Sequence, residues 1–69
     1  DGNLIEARRA LSEVLYVEGS FWKAVAQLEA VLLVFPRDAP AFKRLGDCYK
    51  QLGVDEAARL CYAKSQQAS

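Results

Sequence analysis

Residues 41–64 read AFKRLGDCYKQLGVDEAARLCYAK, and their apolar members recur at steps of three and four. Phe42, Leu45, Tyr49 and Leu52 share one face of a helix. Gly53 follows that helix, where a left-handed residue closes the last turn without a Cβ penalty. Asp55 then offers a side-chain oxygen to the first amides of a second helix. The stretch therefore predicts two helices joined by a tight turn.

Sliding the sequence against itself from this stretch gives matches at an offset of 34. Leu11 falls on Leu45, Ser12 on Gly46, Leu15 on Tyr49, Gly19 on Gly53, Ala24 on Ala58 and Leu28 on Tyr62. Each pair keeps its size and polarity class, which is not expected by chance. In the first unit Ala7, Leu11, Val14 and Leu15 predict the apolar face of a helix, Gly19 its stop and Ser20 the cap of the next. Pro36 ends that second helix, because proline disfavours helical geometry at Phe35. Asp38 is the expected N-cap of the third, with Pro40 in its first turn, where a missing amide proton is harmless. The reading is all-α: four helices near 4–18, 21–35, 39–52 and 55–67, with no strand. Connections this short set sequential helices antiparallel, so each unit is a helical hairpin and the two stack.

The second unit resembles a tetratricopeptide repeat, through Phe42, Leu45, Gly46, Tyr49, Ala58 and Tyr62 at that family's spacing; its closing proline would fall just beyond Ser69. The first unit matches at Leu11, Ser12, Leu15, Ala24, Leu28 and Pro36, with Arg8 where an aromatic is usual. The resemblance spans essentially all of residues 1–69, as one domain with repeat one at about 5–38 and repeat two at about 39–69. It implies two tandem hairpins of a short solenoid. Gly46 and Ala58 are then small because the helices of a hairpin approach closely there.

The 69 residues leave room for one domain, and 52% hydrophobic with 26% charged residues is the composition of a folded one. A core this small buries only roughly 60% of the surface of the unfolded chain, so neighbouring repeats or self-association are expected to add stability. Nine Lys plus Arg against nine Asp plus Glu give no field for phosphate backbones or anionic lipid. Nucleic acid and membrane insertion are not expected, and no apolar run reaches the length of about 20 that crosses a bilayer. No targeting segment is visible, which leaves the compartment open with the cytoplasm slightly favoured. Asp1, not Met, opens the chain, as in an excised or processed piece.

Histidine is absent, Cys48 and Cys61 are not in metal-ligand spacing, and no nucleophile stands beside a base. No metal, cofactor or catalysis is expected. Buried free thiols are expected over a single disulfide, since both cysteines lie in apolar helical patterns.

The function expected is protein–protein interaction, with a peptide or helix of a partner held in a scaffold, co-chaperone or assembly-adaptor role. The resemblance implies a concave groove lined by the first helix of each hairpin. Its candidates are Glu6, Arg9, Glu13, Tyr16 and Val17 on one helix and Lys43, Arg44, Asp47, Lys50 and Gln51 on the other. Glu6 with Arg9, Arg9 with Glu13 and Lys43 with Asp47 are spaced to pair within a helix, which would neutralise this face. Open, it would suit a peptide of mixed charge. Glu13 and Asp47 stand where carboxylate-binding members of the family carry Asn, which disfavours a chaperone-tail clamp.

The alternative is a structural or dimerisation segment of a longer chain. Val31, Leu32, Leu33, Val34 and Phe35 carry apolar groups right round a helix, more than a hairpin partner covers. Leu33, Val34 and Trp22 are the candidates for self-association, and Trp22 is otherwise a half-buried prop. Phe21 is expected to plug the hairpin end. Leu28, Val31, Leu32 and Phe35 are expected to pack on the third helix, while their counterparts Tyr62, Ser65, Gln66 and Ser69 face water, as in a terminal repeat.

Overall fold

The computed structural model describes residues 2–67, with side chains from Leu4 onward. Four helices follow one another: α1 (Gly2–Val17), α2 (Phe21–Val34), α3 (Ala39–Gln51) and α4 (Asp55–Gln67). There is no strand among the described residues. α1 packs on α2, α2 on α3 and α3 on α4.

The turns after α1 and α3 are alike bond for bond. Gly19 N–H donates to the Tyr16 carbonyl at 3.1 Å and Ser20 N–H to that of Leu15 at 2.8 Å. Thirty-four residues on, Gly53 N–H donates to Lys50 at 3.1 Å and Val54 N–H to Tyr49 at 2.9 Å. These are the paired bonds of a Schellman turn, which needs φ > 0 at its centre. Gly19 and Gly53 supply φ of 83° and 80°. The next helix starts identically in both places, with Ala24 N–H on the Ser20 carbonyl and Ala58 N–H on that of Val54.

That geometry corrects two expected caps. Ser20 makes no side-chain cap bond and sits at φ −87°, ψ 66°. Its own amide is held by Leu15, so its backbone is not in the extended conformation that aims a hydroxyl back at the helix. Asp55 lies inside α4, and the residue before the helix is Val54. Asp55 and Glu56 instead complement the positive end of the helix dipole from its first turn. Asp38 does cap α3: its side chain accepts Ala41 N–H at 3.0 Å, with Pro40 in the first turn. Phe35, before Pro36, leaves helical geometry at φ −122°, ψ 80°.

The core joins Ile5 of α1, Ala24, Val25, Leu28 and Val31 of α2, Ala41, Leu45 and Cys48 of α3 and Cys61 of α4. Leu15, Tyr16, Phe21, Leu32, Tyr49 and Leu52 pack against it. The expected face of α1 is rotated. Leu15 packs inward, but Ala7, Leu11 and Val14 are exposed, and Ile5 with Ser12 is buried instead. α2 is the helix packed on α1, and the Ala7–Leu11–Val14 stripe is left open among the described residues. Phe35 is also exposed, contrary to expectation, with the Arg9 guanidinium 6.0 Å from its ring centre. Leu28 and Val31 are buried as expected. On α4, Tyr62 and Ser65 are half-buried and Gln66 is exposed, while Ser69 lies outside the described residues.

Gly46 is small where α3 meets α4, as expected, and the group it makes room for is Tyr62. A Cβ there would sit 2.9 Å from the Tyr62 ring. Ala58 is buried in its own right. Both thiols are free and buried, as expected.

Candidate functional site

A concavity of about 320 Å³ lies between α1 and α3. Arg9, Ser12 and Glu13 line it from α1, Pro40, Ala41, Lys43, Arg44 and Asp47 from α3, and Leu28 from below. α1 and α3 do not pack closely along their lengths, and arginine side chains span between them.

Arg9 reaches across to the cap of α3. Its two terminal nitrogens donate to the two Asp38 oxygens at 2.8 and 2.9 Å, a bidentate pair. Asp38 thus serves Ala41 N–H and Arg9 together. The guanidinium, followed by the Ala41 amide, holds the carboxyl below its ordinary range against the opposing effect of desolvation. Glu6 adds a longer contact to Arg9, at 3.5 Å.

Arg44 makes the return crossing. It meets Glu13 of α1 at 2.6 Å and Asp47 of its own helix at 3.2 Å, and its guanidinium carbon lies 4.3 Å from the centre of the Tyr16 ring. Asp47 also accepts from the Tyr62 hydroxyl, which brings α4 into the same network. That bond, with desolvation behind it, pushes the Tyr62 phenol up to about 12, because a phenolate would face a carboxylate. Ser12, buried beneath, donates to its own helix at the Arg9 carbonyl, 2.7 Å away.

Of the ten groove candidates, Arg9, Glu13, Lys43, Arg44 and Asp47 are brought to one concavity. Glu6 and Tyr16 adjoin it through Arg9 and Arg44. Val17, Lys50 and Gln51 are exposed and do not line it. Of the expected pairs within a helix only Glu6–Arg9 forms; Arg44–Asp47 is a second one, and the other two ion pairs run between elements. Glu6 pairs with Arg9 in α1, whereas Glu13 turns to Arg44 and Asp47 to Arg44 and Tyr62. Lys43 is exposed and makes no ion pair among the described residues.

Asp38, Ser12 and Tyr62 are site residues that the sequence pattern did not single out for the groove. Asp38 was visible as a cap, but its second role spans 29 residues and leaves no local trace. Tyr62 had a signal: it faces Gly46, so it stands beside the neighbouring Asp47.

Trp22, Leu33 and Val34 are exposed, Leu33 to 86% and Trp22 to 60%. Trp22 nonetheless leans edge-on against Tyr49, ring centres 6.1 Å apart. Leu33, with Ala26, Ala30, Leu32 and Leu45, borders a shallow, mainly apolar depression. Burial raises both thiols, Cys48 to about 11, which keeps them in the unreactive protonated form. No group of three metal-ligating side chains occurs among the described residues, and no helix among them is long and apolar enough to cross a membrane.

No family model matches the chain, and neither do curated proteins or solved structures.

Proposed function

We propose that the chain is a non-catalytic protein-interaction module of the tetratricopeptide kind. Its two antiparallel hairpins stack as a short solenoid, and a peptide or helix of a partner lies in the hollow between α1 and α3. Its role is that of a scaffold, co-chaperone or assembly adaptor. The turns that repeat bond for bond at an offset of 34 support the repeated unit. The observation that carries the binding role is the hollow itself, about 320 Å³ with Leu28, Pro40 and Ala41 among its walls. Concave sites with apolar walls and a few placed polar groups are where ligands are held.

The partner segment is one of mixed charge. Arg9 and Arg44 are already engaged by carboxylates, so the hollow lacks the pair of open cations that a free carboxylate terminus requires. Lys43, outside every ion pair among the described residues, meets an acidic residue of the ligand, and the exposed Glu6, held to Arg9 by a 3.5 Å contact alone, exchanges to a basic one. The test is a pull-down with the wild type beside a Glu6→Lys, Lys43→Glu variant, its helicity checked by circular dichroism. Arg9 is left intact because a carboxylate there would face Asp38. A partner recovered by the wild type and lost from the folded variant supports the reading; equal recovery overturns it.

A second reading, a dimerisation segment joined through Trp22, Leu33 and Val34, is favoured by their exposure and by the apolar depression that Leu33 borders. Sedimentation at rising concentration decides it: a dimer that Leu33→Glu abolishes supports this reading, and a persistent monomer rejects it.

A further inference from the structure

The offset of 34 places Ala7, Leu11 and Val14 of α1 on Ala41, Leu45 and Cys48 of α3. The α3 set is buried in one cluster with Val25, Leu28 and Val31 of α2. The α1 set is open to solvent, Leu11 to 44% and Val14 to 52%. The other faces of these helices do correspond: Ser12 is buried as Gly46 is, and Leu15 and Tyr49 are both half-buried. α1 therefore carries the same seat as α3, in the same register, without the helix that fills it.

From this we infer that the Ala7–Leu11–Val14 stripe is a docking seat for the second helix of another hairpin of this kind, one with aliphatic side chains where α2 has Val25, Leu28 and Val31. The seat continues the α2–α3 interface by one unit, and that interface states the chemistry of its occupant. A second copy of this chain joined head to tail does not supply it. Its α2 is already covered by its own α3, and α4 offers Arg59, Tyr62 and Ser65 at the corresponding places, with the Ser65 hydroxyl turned onto the Tyr62 carbonyl. The inference rests on the repeated unit but not on the groove, since Arg9 and Glu13 point from another face of α1.

The test is an extended chain, residues 1–38 followed by residues 5–69, which sets one more α2 ahead of α1 in the native register. The thermal midpoint is expected to rise by about 5 °C or more, with the second-copy α1 amides gaining protection from hydrogen exchange. Leu11→Glu with Val14→Glu in that second copy removes both gains. The same pair in the unextended chain, where both side chains are exposed, keeps its helicity and a cooperative melt and so shows that the substitutions are tolerated. An extension that raises nothing, or a gain that survives both glutamates, overturns the inference. So does a dimer of the unextended chain that Leu11→Glu dissolves, which would give the stripe to a second copy. Loss of partner binding in the Glu6→Lys, Lys43→Glu variant is read separately, so the groove and the seat fail independently.

Discussion

Gly46 occupies the middle of α3, where glycine normally costs a helix about 1 kcal/mol relative to alanine. Replacing it would ordinarily stabilise. Here an added Cβ meets the Tyr62 ring at 2.9–3.1 Å, and that ring is pinned through its hydroxyl to Asp47. Overpacking of this kind costs roughly 1–3 kcal/mol, which exceeds the gain in propensity. Gly46→Ala is therefore expected to destabilise by about 1 kcal/mol, and to return the Tyr62 phenol from about 12 toward its ordinary 10. In a Tyr62→Ala background the same substitution turns stabilising. Thermal melts and an alkaline absorbance titration of the three tyrosines check both signs.

Equivalent positions in two helices need not bear equal load. Leu11 and Leu45 correspond by sequence, yet one is 44% exposed and the other 5%. Leu45→Glu buries a charge against α2 and is expected to unfold the chain, at a cost of about 4 kcal/mol or more. Leu11→Glu is expected to cost at most about 1 kcal/mol. Urea titrations of the pair measure the contrast. The same contrast marks how much could be read in advance. The four helices and both glycine stops followed from period and offset, because they depend on neighbours three and four residues away. Which apolar face of α1 is covered depends on how many helices surround it, and no local pattern encodes that number. Five of the ten groove candidates line the hollow, and the bonds across it were not legible: Arg9 and Glu13 are spaced to pair, but Asp38 and Arg44 present better geometry from across the hollow.

For the molecule as a whole, the Arg9–Asp38 pair is the point where α1 and the start of α3 are tied together. Asp38 has its pKa lowered from 3.8 in the fold. Its contribution is therefore complete above that value and is lost as pH falls through the lower, folded-state value. Asp38→Asn keeps the shape of the cap but not the charge. It is expected to lower stability near neutral pH and to flatten the acid limb below pH 3.8. Denaturant midpoints at about pH 7 and about pH 3 should converge between wild type and variant as the solution is acidified.

The two crossings from α1 to α3 are made by guanidinium groups at the ends of flexible stems, one in each direction. The two banks are seated on α2 and are linked across the hollow by two side chains, with no main-chain bond across it among the described residues. A guest that enters has to swing those stems aside, while every helical hydrogen bond on either bank stays closed.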